Sequence, residues 1–135
     1  EVSPRFFEET LRQTYNDFTL CFPRTNIKDL SIEVFLDDAE MQTALNPYGI
    51  EEPIKGNIIS STVLDLIFVP LLAFNRQGYR VGYGKGFYDR FLTTCKSDVI
   101  TIGLSFFEPV DKVDDINEFD IPLKYCITPH QLYEF

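Results

Sequence analysis

Histidine occurs once in this sequence and cysteine only three times, at widely separated positions. A single histidine, His130, close to the chain's end leaves no set of imidazoles for a structural metal site and reads as a surface or capping residue. Cys21, Cys95 and Cys126 are odd in number and form no CxxC pair, which argues against a disulfide framework and suits buried, reduced thiols. Long apolar runs are also missing. The longest, "LIFVPLLAF", falls far short of the roughly 20 residues a membrane span needs, and with no signal peptide or anchor in view the expected location is the cytoplasm. Positive charge is scarce as well: 12 basic residues face 21 acidic ones, a net charge of −9. Nucleic acid and anionic membrane surfaces would be repelled by most of such a molecule, so neither is expected as a partner.

What remains suits one compact, monomeric domain over residues 1–135, with 44% hydrophobic residues to build a core. "SPRFFEETLRQTYNDF" has the marks of a helix start: Ser3 as N-cap, Pro4 in the first turn, and Glu8 and Glu9 near the positive end of the dipole. Phe7, Leu11, Tyr15 and Phe18 recur at helical spacing as core contacts. "TLCFP" and "SIEVFL" read as strands. The polar stretch from "DDAEMQTALNPYGIEEP" to "KGNIISS" reads as loop with one helical turn, Glu52 and Pro53 forming a turn within it. "LDLIFVP" is a strand of the kind buried on both faces of a parallel sheet, ended by Pro70. "GFYDRFLTTCK" pairs Phe87 with Phe91 and Tyr88 with Leu92 at helical spacing. "VITIGLSF" and "YCIT" are further strands, and "PHQLYEF" a closing helical stub. The alternation predicts an α/β fold: a Rossmann-like, mostly parallel sheet flanked by helices.

The scarce positive charge is concentrated. Between Asn75 and Arg90 the chain carries Arg76, Arg80, Lys85 and Arg90 against Asp89 alone, a local charge of +3. Within that window "GYRVGYGKGFYDR" places Gly82, Gly84 and Gly86 at every second position, between a buried strand and a helix. Ligands of open α/β sheets bind beyond the carboxyl ends of the strands, and free amides at a helix start attract anions. Glycines let the backbone approach phosphate oxygens closely. Arg80 can hold two oxygens in its planar fork, and Lys85 is a mobile point charge suited to a moving phosphoryl group. Neither the P-loop nor the GxGxxG dinucleotide fingerprint fits, because Gly86 follows Lys85 and Phe87 stands at the third glycine position. Asp89, in the first turn of the helix, can either hold Mg²⁺ against the phosphates or cap the helix and pair with a neighbouring arginine. Most of the aromatic residues belong to the core, Phe74 included, and only Tyr83, Phe87 and Tyr88 are expected to touch a ligand.

"DLIFVPLLAFNRQGYRVGYGKGFYDRFL" resembles the signature of the 5-formyltetrahydrofolate cyclo-ligase (5,10-methenyltetrahydrofolate synthetase) family. Weaker similarity extends to "YGIEEP", "TIGLSF" and "NEFDIPLKYCIT". The resemblance implies an α/β enzyme of one-carbon metabolism that uses ATP and Mg²⁺ to convert 5-formyltetrahydrofolate, polyglutamylated or not, to 5,10-methenyltetrahydrofolate. It implies that Arg80, Val81, Gly82, Tyr83, Gly84, Lys85, Gly86, Phe87 and Tyr88 bind ATP, with Arg80 and Lys85 acting on the transferred phosphoryl group. Tyr83, Gly84, Lys85, Gly86 and Phe87 also border the folate, as does Glu1 at the chain's edge. Asp89 corresponds to a Mg²⁺ ligand and Asp120 resembles a second; Asp120 has only the resemblance behind it. The sequence departs from the family at Asn75, usually aspartate, and at Phe119, often histidine. The family's N-terminal region, with a lysine and an arginine that contact ATP and substrate, has no counterpart here. The alternative reading is a non-catalytic nucleotide- or phosphate-binding module that keeps the glycine loop.

Overall fold

The computed structural model describes residues 4–15, 17–114 and 116–135, with side chains from residue 9 onward. Glu1 and Ser3 lie outside the described residues, as does the side chain of Phe7. The chain opens with helix α1, Pro4–Thr14, as its apolar periodicity predicts; Glu8 and Glu9 fall beyond its first turn, where the dipole has little effect. Strands β1 (Cys21–Asn26) and β2 (Ser31–Leu36) form an antiparallel hairpin, and β5 (Ile58–Ile59) adds to the far side of β2.

Between them the expected loop is a second hairpin, β3 (Gln42–Leu45) with β4 (Glu51–Lys55). Its turn is built by Asn46, whose Oδ1 accepts the amides of Tyr48 at 2.9 Å and Ile50 at 3.0 Å. Glu52 and Pro53 therefore sit in a strand and not in a turn. All four residues of β3 are exposed, so the alternation that marks a half-buried strand is absent from the sequence.

A four-stranded sheet carries the rest, in the order β11-β10-β9-β6. Strand β6 (Leu66–Val69) runs parallel to β9 (Ile100–Leu104), which runs parallel to β10 (Tyr125–Ile127). The helix crossing from β6 towards β9 is α2, Phe87–Thr94. Strand β11 (Leu132–Glu134) is antiparallel to β10 and replaces the expected helical stub. The Thr128 hydroxyl is responsible: it accepts the amides of His130 and Gln131 and turns the chain back after too few residues for a helix. Two parallel pairings stand beside five antiparallel ones, so the fold is α/β with mixed sheets and two helices, not one mostly parallel sheet flanked by helices.

The core gathers Val34 of β2, Ile67 and Val69 of β6, Phe91 and Leu92 of α2, Val99 and Leu123. Leu11, Tyr15 and Phe18, expected as core contacts, are not part of it: they line an apolar hollow of about 1170 Å³ beside it, with Val34, Ile67 and Phe91, and Tyr15 is 62% exposed. All three cysteines are free thiols, but only Cys126 is buried; Cys21 and Cys95 are half-buried. Among the described residues no helix is long and apolar enough to cross a membrane.

Candidate active site

The glycine loop leaves the carboxyl end of β6 by way of a short hairpin, β7 (Ala73–Phe74) with β8 (Arg80–Val81). Asn75 folds its turn: the side-chain Oδ1 accepts the amides of Gln77 and Tyr79, both at 3.0 Å, and the residue is 3% exposed. Phe74 is fully buried with its ring edge-on to Tyr133 and Phe135, the packing role the sequence suggests. The hairpin thus anchors one end of the loop in the core. Helix α2 anchors the other.

Gly82, Gly84 and Gly86 are exposed, and nothing lies within 4 Å of the place a Cβ would take on any of them. Gly84 (φ +85°) and Gly86 (φ +65°) are left-handed, a conformation costly for other residues. Gly86 is also the N-cap of α2 and offers no side chain to the helix's first amides. Backbone N–H groups at the mouth of the loop are therefore accessible to an anion. Lys85 is exposed between the two glycines, and its ammonium makes no ion pair among the described residues.

Arg80 is placed differently from Lys85. Its side chain is 5% exposed; Nη1 donates to the Ile121 carbonyl at 2.6 Å and Nη2 to Asp89 Oδ1 at 2.9 Å. The Ile121 amide also donates to Asp89 Oδ1, at 3.1 Å. Asp89 thus pairs with a neighbouring arginine, as one of the two sequence readings has it, and its Oδ2 accepts no bond among the described residues. The same contacts draw in the closing segment, for Asp120 is joined directly to Ile121. The Asp120 Oδ2 accepts the Asn117 amide at 2.8 Å, closing a turn over 117–120. Sequence spacing holds no sign of this convergence, although Ile121, whose backbone makes it, lies within "NEFDIPLKYCIT".

The aromatic residues divide, and the expectation that most belong to the core fails: among those described only Phe35, Phe74 and Phe91 are buried, and Tyr15, Tyr48, Phe106 and Phe107 are exposed. Tyr83 is 78% exposed on the loop and Phe87 is half-buried. Tyr88 turns inward, edge-on to Phe91 at 6.5 Å, and burial pushes its phenol up to about 12 despite the opposing charge of Arg80. Phe119, beside Asp120, is 73% exposed. Among the described residues no three histidine, cysteine or carboxylate side chains converge. Asp89 and Asp120 carry hard carboxylate oxygens, the donor type that suits Mg²⁺, and their segments are linked through the Ile121 amide.

Residues 8–129 match the sequence profile of the 5-formyltetrahydrofolate cyclo-ligase family. The chain belongs to the 5-formyltetrahydrofolate cyclo-ligase family. It is 30% identical over 112 residues to 5-formyltetrahydrofolate cyclo-ligase of Mycoplasma genitalium, covering 82% of this chain and 57% of that protein. To the mouse protein of the same name it is 31% identical, covering 85% of this chain and 68% of the mouse one. The NMR structure of Aquifex aeolicus 5,10-methenyltetrahydrofolate synthetase superposes with a TM-score of 0.72 at 27% identity, over 96% of this chain and 63% of that one. The chain thus spans a little over half to about two thirds of the length of these cyclo-ligase relatives. The family's α/β fold is shared, and the glycine loop, Asp89 and Asp120 all lie within the matched residues.

Proposed function

We propose that the protein is an ATP-dependent ligase that closes 5-formyltetrahydrofolate to 5,10-methenyltetrahydrofolate with release of ADP and phosphate. The observation that carries this reading is the open, left-handed glycine run at the uncapped start of α2, with Lys85 free upon it and the Asp89 and Asp120 segments tied at its base. Relatives named for this activity support the choice of substrate.

The geometry suits the chemistry. An amide-like formyl oxygen leaves poorly; once it has taken the γ-phosphoryl group of ATP, attack by N10 on the formyl carbon closes the ring and expels phosphate. Phosphoryl transfer of this kind depends on positioning and on neutralising charge. Amides of residues 84–87 cradle the phosphates, and Lys85, on a flexible stem, follows the charge on the moving phosphoryl group. Asp89 and Asp120 would hold Mg²⁺, whose charge, when bound, would neutralise phosphate oxygens. Tyr83 offers an exposed ring face on which the pterin can stack.

The test is the growth of methenyl-folate absorbance when ATP and Mg²⁺ are added to the protein with 5-formyltetrahydrofolate. Product formation strictly dependent on both is expected. Binding of ATP and folate without turnover would instead favour a non-catalytic nucleotide-binding module.

A further inference from the structure

We infer that Phe135 acts on this site as a positioning residue: its ring clamps the Gly78 turn of the β7–β8 hairpin and so fixes where the glycine loop leaves the sheet. The inference rests on the nucleotide reading above. The loop has no packing of its own. Nothing lies within 4 Å of the Cβ positions of Gly82, Gly84 and Gly86, and Tyr83 is 78% exposed, so the path of the loop is dictated by its two ends. One end is α2. The other is the hairpin, and only Tyr79, Arg80 and Val81 separate the Gly78 turn from Gly82.

That turn is held from outside the hairpin. Gly78 is buried with φ +85°, and a Cβ there would come within 2.8 Å of both the Leu123 carbonyl oxygen and the Phe135 ring. Such an approach is open only to glycine, whose bare backbone lets a flat ring lie directly on it. The Leu123 amide donates to the Gly78 carbonyl at 2.9 Å and the Phe135 amide to the Lys124 carbonyl at 3.0 Å, so turn and ring are both fastened to the short stretch that leads into β10. The ring is itself fixed. Phe74 meets Phe135 edge-on at 6.1 Å and Tyr133 edge-on at 5.4 Å, Tyr133 stacks on Phe135 with 9° between the planes, and the Tyr133 hydroxyl donates to Glu108. Phe74 in turn faces Arg80 across the hairpin. The aromatic side chains of β11, the edge strand of the sheet, therefore join that edge to the base of the glycine loop.

The experiment compares the unaltered chain with Phe135→Ala and Phe135→Tyr, each first taken through a urea curve so that every later measurement is made where the protein is fully folded. In the ligand-free protein the amide NMR resonances of Gly82, Gly84 and Gly86 should shift or broaden in Phe135→Ala and return in Phe135→Tyr, which keeps the ring, while those of Gly49 and Gly56 stay in place. Calorimetric titration with ATP and Mg²⁺ should then show about tenfold weaker binding by Phe135→Ala, the loss expected when the binding-competent path of the loop falls to about a tenth of the molecules, and binding by Phe135→Tyr within about twofold of the unaltered chain. A ring that only packs would lower the urea midpoint and leave the loop resonances and the ATP affinity of the folded protein unchanged, and that result would overturn the inference. Loop resonances that move in a protein whose unaltered form binds no ATP would uphold the positioning role and remove the nucleotide reading instead. Should Phe135→Ala not fold, hydrogen exchange of the unaltered protein decides: coupling between two sites is reciprocal, so ATP should slow exchange of the Leu123 and Phe135 amides. Equal rates with and without ATP would count against the clamp.

Discussion

Lys85 carries its charge on an exposed stem between two left-handed glycines, and nothing in the described structure holds it there. A side chain so placed contributes little to stability. Its value lies in a charge that exists only during the reaction, so its removal should appear in turnover and not in folding. Lys85→Ala should lower kcat about 100-fold or more, in the range seen when one stabilising donor is lost, with the KM for 5-formyltetrahydrofolate and the urea midpoint nearly unchanged. Steady-state kinetics beside a denaturation curve check this; a parallel loss of folate affinity would place Lys85 on the substrate instead. Arg80, five residues earlier, has the same charge and the opposite environment. From the sequence both were legible as cations near glycines, but their division into a mobile and a locked charge was not, because the lock is the backbone of Ile121, 41 residues away.

The hairpin β7–β8 shows how much of the site depends on an element of four paired residues. Ala73 faces Val81 and Phe74 faces Arg80, and the turn between them is held chiefly by Asn75. Buried Asn75 accepts two amides, which lose this partner once its side chain is removed. Asn75→Ala should therefore cost about 2 kcal/mol, measured as a lower urea midpoint at constant slope, whereas Asn75→Asp keeps both acceptors and should lose less than half as much. An equal loss from both substitutions would mean that the turn depends on its backbone alone. Continuous apolar runs (β6, β9) and helical pairs (α2) were readable as elements, but the expectation of burial on both faces fails: only alternate residues of β6 and β9 are buried, and Leu66, Ile100 and Leu104 are exposed. The hairpins were not readable, since β3 is exposed throughout and β7–β8 is too short to have a period. Asn46, Asn75 and Thr128 each build a turn through a side-chain oxygen, and in the sequence an asparagine or threonine that does so looks like any other.

At the scale of the whole molecule, Cys126 is buried and Tyr88, Cys21 and Cys95 are half-buried, while most of the carboxylates are exposed. Burial pushes the Cys126 thiol up to about 11 and the Tyr88 phenol up to about 12, and raises the Cys21 and Cys95 thiols as well. Each of these groups is uncharged when protonated, and each has a folded value above its unfolded one, near 8.5 for cysteine and 10 for tyrosine. Their contribution to stability is therefore complete below the unfolded values and is lost as pH rises through the folded ones. The urea midpoint should stay level from pH 7 to about 8.5 and then fall continuously to pH 11, the Tyr88 share alone amounting to about 1.4 kcal/mol by its upper end. A chain that already carries −9 makes the fall steeper, since every proton lost adds to self-repulsion. Cys126→Ala separates the two causes: it removes a thiol packed against Gly103, lowers the plateau through lost packing, and should flatten the slope between pH 9 and 11 while leaving the Tyr88 fall above it. If the midpoint of the unaltered chain holds level to pH 11, these groups ionise as freely in the folded protein as in the unfolded one, and the thiol and phenol are in contact with water.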